Sequence, residues 1–363
     1  MSRRERPFVL GVELDGDGAH PAAWRASSHS PAELLGGRLH AERAQEAERA
    51  GFAFATFADS AVPPTDPDGI SARLDAIQRA AFVAPLTSAI GLVPEAGTVY
   101  TEPFHVATQL ASLDFASRGR AGWVATAADD AETAALYGRD GRPGRPQDAV
   151  EVARRLWDSW EDDAVIRDVA TGRYLDRNRL HHIRFTGDDY SIVGPSIVPR
   201  PPQGALPVFG PAALAGTAEL DAALFDVRRG RAEELLARAT DTAEGLRSAG
   251  VLAILDLEFA LDAAGVPAHD RVKALDARAP WPTRRARYIG TADGLIDLLV
   301  PLASVVDGIR LHPAVLDIDL AEFAFAVAPR IRDRVPLAIP RPGDTLRATL
   351  GLPDAVNRYQ ESA

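Results

Sequence analysis

Short apolar runs alternate along this chain with longer stretches whose apolar positions recur every three or four residues. Runs of the first kind form strands buried on both faces, and the second pattern marks amphipathic helices. The first run, FVLGVEL at Phe8 to Leu14, predicts a strand preceded by a basic, tag-like MSRRER expected to be disordered. Glu33 to Ala50 reads as a helix with Leu35, Leu39, Ala44 and Ala47 on one side and a stop at Gly51. Phe52 to Phe57 is the second strand, and Ser71 to Ala84 the next helix, ending near Pro85. Ile90 to Val93 gives strand three and Ala121 to Ala127 strand four. The helix between them opens near Glu102-Pro103 and closes at Ser117-Arg118-Gly119, where a glycine can take the left-handed cap conformation. In such a βα repeat, whatever leaves the carboxyl end of the first strand, here Pro94 to Tyr100, lies where barrels and open sheets place their chemistry.

The rhythm continues with a short helix from Asp129 to Tyr137, an arginine-rich turn holding Arg139, Arg142 and Arg145, and a helix from Gln147 to Glu161. Charge clusters of this size are usually solvated. Trp157 and Trp160, at helical spacing, read as core. Between Val165 and Pro202 the pattern changes to hairpin-like alternation around a Gly187-Asp188 turn, then a proline-rich return. Leu206 to Phe209, Ala222 to Phe225, Val251 to Leu257 and Gly308 to Leu311 supply strands five to eight. Helices are expected at Arg231 to Ser248, Gly290 to Ala303 with a Thr291 cap, and Leu320 to Val335. The segment before Ile289 reads as charged and mostly helical. Eight strands alternating with helices predict an α/β fold, a (β/α)8 TIM-type barrel. It forms one domain over residues 1–363, with an insertion at about 165–202 and a tail at about 336–363.

Composition narrows the function classes. The chain has 363 residues, ordinary for a single barrel, and no cysteine, which excludes disulfides, thiolate metal sites and a cysteine nucleophile. A net charge of -11 argues against a nucleic-acid surface, which needs a basic field. No run is apolar for long enough to be a signal peptide or a membrane span, so the expectation is a soluble cytoplasmic protein with no membrane partner. The long loop from Asp15 to Pro31 is a functional candidate by its length. Asp59, directly after strand two, is either a turn cap or a site residue. His181-His182 invites a metal reading, but neighbours on a strand point to opposite sides and no carboxylate lies at ligand spacing, so no metal site is expected.

The segment IGLVPEAGTVYTEPFHVATQLASLD followed by GRAGW, Ile90 to Trp123, resembles the luciferase-like flavin monooxygenases, in the branch that holds nitrilotriacetate, EDTA and dibenzothiophene-sulfone monooxygenases. The resemblance recurs in order: His20 with Trp24-Arg25, FADS at Phe57 to Ser60, LWDSWEDDA at Leu156 to Ala164, GPSIVPRPPQG at Gly194 to Gly204, DGIRL at Asp307 to Leu311, TLRATLGLP from Thr345, and NRY ending at Tyr359. It implies a barrel whose insertion covers the active-site mouth. It also implies a monooxygenase that uses reduced flavin mononucleotide (FMN) supplied by a separate flavin reductase, and pairing as a homodimer or as a heterodimer with a homologous barrel. By the same resemblance the cofactor contacts fall on Asp59, Glu95, Thr98, Trp123 and Arg139.

Several positions depart from that family's pattern. Glu95 stands where a hydroxyl residue is usual, although Thr98 keeps a second hydroxyl; Val124 replaces an Asn; Arg139 and Pro143 replace a His and a Tyr; Ala212 to Ala215 offer no serine. A carboxylate beside an anionic flavin repels it unless an arginine pairs with it. The main expectation is an FMN-dependent monooxygenase whose phosphate anchor is rebuilt from Arg139, Arg142 or Arg145. The alternatives are a barrel that has lost flavin and serves as partner of an active homologue, and an oxidoreductase using the deazaflavin F420.

Overall fold

The structure is a computed structural model that describes residues 6–62, 72–127, 131–138, 145–228, 230–282 and 285–360. In chain order, β1 (Val9–Glu13) is followed by α1 (Gly37–Ala50), β2 (Phe54–Phe57), α2 (Ala76–Val83), β3 (Gly91–Gly97), α3 (Pro103–Ser117) and β4 (Trp123–Thr126). Next come α4 (Ala131–Leu136) and α5 (Pro146–Asp158), then two small antiparallel hairpins, β5 (Val165–Asp168) with β6 (Arg173–Leu175) and β7 (Phe185–Thr186) with β8 (Ser191–Ile192). The second half runs β9 (Val208–Pro211), β10 (Ala222–Phe225), α6 (Ala232–Ser248), β11 (Leu252–Leu261), α7 (Ala268–Asp276), β12 (Ala286–Gly290), α8 (Ala292–Ala303), β13 (Gly308–Pro313), α9 (Ala328–Ile331) and α10 (Leu346–Thr349).

Eight parallel strands close on themselves in the order β1, β2, β3, β4, β9, β10, β11, β13 and back to β1, the barrel that the alternation predicts. β9 and β10 are joined by a single 3-10 turn, Ala212–Leu214, in place of a helix. Strand seven outruns its expected end: β11 has ten residues, and its upper half pairs with β12, a parallel strand that the charged composition of the segment before Ile289 concealed. The closing helix is broken into two π-helical stretches, Leu316–Leu320 and Phe323–Val327, before α9.

Strand periodicity sorts side chains onto two faces. Leu10, Val12, Phe57, Leu92, Trp123 and Ile309 face the helices and join the main core, whereas Val9, Phe54, Val93, Val124, Phe209, Leu224 and Ile254 fill the barrel interior. The tail closes the bottom: Leu346 and Leu350, at most 1 % exposed, enter the interior cluster. Leu346 fits because Gly91 has no side chain, since a Cβ there would stand 2.5 Å from the leucine's Cδ1.

Trp160, at the end of α5, donates its indole N–H to the Ser196 carbonyl at 2.8 Å, and Arg145, ahead of α5, pairs with Asp188 at 2.6 Å. The inserted segment between these two contacts therefore packs along α5, its Asp188 turn beside the start of that helix. Among the described residues, no helix is long and apolar enough to cross a membrane.

Candidate functional site

Above the apolar barrel floor the inward-facing residues become charged. β1 ends on Glu13, β2 presents Thr56, β3 Glu95, β11 Asp256, and β13 Arg310 and His312, and the registers Glu13 to Thr56 and Asp256 to Arg310 place these groups side by side. Arg310 is the hub. Its Nε and Nη2 donate to the two Asp256 oxygens at 2.6 and 3.0 Å, and Nη1 donates to Glu13 at 3.2 Å. Glu13 also accepts from the Thr56 hydroxyl, and His312 Nε2 lies 3.0 Å from Asp256 Oδ1. Glu95 is left at 3.9 Å from Nη1, beyond hydrogen-bond distance, and accepts the Asp59 N–H at 3.1 Å. Buried charges persist only when paired in this way.

The pairing sets the protonation of each acid. For Asp256, burial favours the neutral form, but Arg310 and His312 outweigh it and hold the carboxyl far below its usual range. For Glu13, burial again favours the neutral form, and Arg310, His312, the Thr56 hydroxyl and Arg285 together outweigh it, with a net lowering. Glu95 goes the other way: burial, then the charge of Glu13, push it up to about 7, against a weaker pull from Arg310.

Beside this floor opens a cavity of about 410 Å³. Asp59, Glu95, Tyr100, Gln109, Thr126 and Tyr137 are on its wall, with Val99, Val106 and Ile77 as apolar surface. Tyr100 and Tyr137 stack with ring centroids 4.9 Å apart. A second cavity, of about 300 Å³, is shaped by the loop after β1 and is lined by Asp15, His20, Trp24, His40 and Arg79; Arg73 lines both cavities. His20 is 1 % exposed. Its Nδ1 accepts the Ala22 N–H at 3.0 Å, so Nε2 carries the ring proton toward Asp276 Oδ1 at 3.3 Å. Burial lowers its pKa and keeps the ring neutral.

The loop is pinned from behind by Arg43, which reaches Asp17 at 3.0 Å, Asp317 at 2.8 Å and His29 at 3.1 Å. Asp17, His29 and Asp317 form the only cluster among the described residues with donor atoms close enough to share an ion, and the Arg43 guanidinium already supplies the positive charge there.

The five expected cofactor residues fare differently. Glu95 and Asp59 line the larger cavity. The Asp59 carboxylate also accepts the N–H of Ser60 at 2.8 Å and of Ala76, the first residue of α2, at 3.1 Å, so it caps the turn and the helix as well. Trp123 is placed away from the cavity: its ring faces the helices, is 1 % exposed, and donates Nε1–H to the Ala96 carbonyl at 3.1 Å, because it sits out of phase with the inward-facing Val124. The Thr98 hydroxyl is buried and donates to the Thr126 carbonyl at 2.8 Å. Arg139, with Arg142 and Pro143, lies outside the described residues. His181, not expected to hold a metal, meets Glu161 at 2.7 Å and stacks on Tyr359. Sequence reasoning passed over Arg310, His312, Asp256 and Glu13. The available signal was the break of apolar pattern at alternate positions in strands otherwise read as fully buried.

A flavin brings a planar ring system and a phosphate. The 410 Å³ cavity fits the ring, with aromatic and aliphatic wall and amide and hydroxyl groups from Gln109 and Thr126. Among the described residues of that wall the phosphate finds hydroxyl donors, Ser60 and Thr101, but no uncommitted cation. Arg73 is committed to Asp15 at 3.0 Å, and the other charged groups there, Asp59, Asp75 and Glu95, are acids.

Comparison with known proteins agrees with the barrel. Residues 21–294 match the family described as Luciferase-like monooxygenase. Nitrilotriacetate monooxygenase component A of Aminobacter aminovorans is 38% identical over 215 residues, covering 54% of this chain and 47% of that protein. A protein of Streptomyces pristinaespiralis named as one subunit of pristinamycin IIA synthase is 36% identical over 196 residues, covering 53% and 64%. The chain thus spans less than two thirds of either relative. The structure of EDTA monooxygenase from Chelativorans sp. BNC1 superposes with a TM-score of 0.76 over 96% of this chain and 99% of that one, at 20% identity. The chain belongs to the luciferase-like monooxygenase family.

Proposed function

We propose that this member of the luciferase-like monooxygenase family is the oxygenase of a two-component system, taking reduced FMN from a separate reductase and acting on a small organic substrate. The observation that carries the reading is the cavity at the carboxyl ends of β2, β3 and β4, the end of the barrel where this architecture places its chemistry. Bound there, a reduced flavin supplies the electrons for insertion of one atom of dioxygen into the substrate. The chain contributes position and shielding. Tyr100, Tyr137 and Val99 offer apolar surface to the ring and exclude water, while Gln109 and Thr126 offer polar groups that orient it. The adjoining cavity at His20, separated by Arg73 and Asp15, is the place for the substrate, with the His20 Nε2–H held in one tautomer.

Phosphate anchoring falls in this reading to the arginines that begin two residues beyond Tyr137, Arg139 and Arg142; Arg145 is already paired with Asp188. Anaerobic fluorescence titration tests it. FMN should bind far better than riboflavin, and Arg139→Ala should narrow that gap by roughly ten- to a hundredfold, the worth of one charge-assisted hydrogen bond. Failure of both ligands to bind in either redox state would overturn the reading. A second reading is favoured by the acidic floor, where Glu13, Glu95 and Asp256 share one arginine: a barrel without flavin that pairs with an active homologue. The Streptomyces pristinaespiralis relative is itself named as a subunit. Co-purification with a second barrel, together with absent flavin binding, would select it.

A further inference from the structure

We infer that the Glu95 carboxyl is the proton-carrying hydrogen-bond donor of the barrel mouth, meeting the cavity's ligand as a neutral acid, and that ionising it weakens the ligand's hold. The ligand half of this inference rests on the flavin reading; the protonation half does not.

Three carboxylates gather at Arg310 and are unequally partnered. Glu13, Glu95 and Asp256 converge on it; His312 also faces Asp256, and Arg285, which reaches Glu258 together with Arg287, adds its charge near Glu13. A buried acid short of partners is the one that keeps its proton. Contacts decide which. Asp256 holds both forks of Arg310 together with His312, and Glu13 holds the remaining Nη1 together with the Thr56 hydroxyl. Glu95 Oε2 takes one backbone N–H, from Asp59, and Oε1 has no hydrogen-bond partner among the described residues. Its side chain is 16 % exposed and on the cavity wall, so an O–H on that oxygen is free to serve a ligand.

The groups packed around Glu95 reinforce the assignment. Asp15 after β1 and Asp59 after β2 add negative charge, as does Asp75 ahead of α2; Arg73 is held by Asp15, Tyr100 and Tyr137 lie across the cavity, and the neighbouring positions on β4, Val124 and Thr126, carry no charge. Burial and Glu13 push Glu95 up to about 7, in agreement with the contacts. As an acid it donates to a carbonyl oxygen or ring nitrogen. As a carboxylate it repels those same lone pairs, and an anionic ring still more.

The test uses the full chain. In protein carrying carbon-13 at the glutamate carboxyl, the resonance that Glu95→Gln removes should titrate near neutrality without any ligand. If it is ionised throughout from pH 5.5 to 8, the proposal falls, whatever flavin does. Oxidised FMN is then titrated at pH 6 and pH 8. A group titrating near 7 is roughly nine-tenths protonated at the first and one-tenth at the second, so wild-type affinity should drop about tenfold more than that of Glu95→Gln, the variant absorbing the phosphate's own titration. Equal drops would overturn the ligand half. If FMN binds at neither pH the flavin reading fails, and the carbon-13 titration alone decides the proton.

Discussion

Glu95→Gln should stabilise the protein at pH 8 while doing little at pH 5. In the unfolded chain a glutamate titrates near 4.5, and in the folded protein Glu95 is pushed up to about 7 by burial and Glu13. A group raised on folding favours the native state least when it must ionise there, so stability is retained below pH 4.5 and is lost as the pH rises toward 7. Integrating proton binding between the two states gives a penalty of roughly 0.8 kcal/mol at pH 5 and roughly 3.3 kcal/mol at pH 8. The amide introduced by Glu95→Gln would keep the acceptor for the Asp59 N–H and remove the ionisation. The advantage of the variant over wild type should therefore grow by about 2.5 kcal/mol between the two pH values. Urea unfolding of both proteins at both pH values reads this directly, because effects of pH on the rest of the molecule cancel in the double difference. A pH-independent difference would mean that Glu95 is ionised in the native protein, and the assignment of the proton to it would be wrong.

Arg310→Met should cost about 3 to 5 kcal/mol at pH 8, the usual penalty for stripping one partner from a buried ionic group, and less at pH 5, where the stranded acids can take up protons; thermal unfolding at the two pH values would show no loss at either if Arg310 were dispensable. Leu346→Ala should cost about 2 to 5 kcal/mol through the cavity left under the barrel floor, and an unchanged thermal midpoint would mean that the tail does not plug the barrel. Asp59→Ala removes the acceptor of the Ala76 N–H at 3.1 Å and should cost about 1 kcal/mol of stability; denaturant unfolding measures that loss, and FMN titration of the same variant shows whether Asp59 also holds the ligand.

The barrel was legible because its strands write themselves as apolar runs. Phe8 to Leu14, Phe52 to Phe57 and Ala121 to Ala127 need only local pattern, and so do the caps: Thr291 does accept the Gly294 N–H at 3.1 Å ahead of α8. Strand position also brought Glu95 and Asp59 to the cavity wall. What local pattern cannot supply is which face of a short strand turns inward. Trp123 and Val124 are neighbours in sequence, and one residue of phase sends the indole to the helices and the valine into the barrel. Nor does it supply contacts between distant strands. Glu13 and Arg310, 297 positions apart, meet because β1 and β13 close the barrel, and Asp256 joins them from β11. The same closure brings Leu346 from the tail against Gly91. The sequence by itself determined the repeating unit, since helix and strand are local consequences of side-chain periodicity. Only the tertiary structure decided that three acids share one arginine, because that is a property of barrel closure, and with it which acid is left to hold a proton.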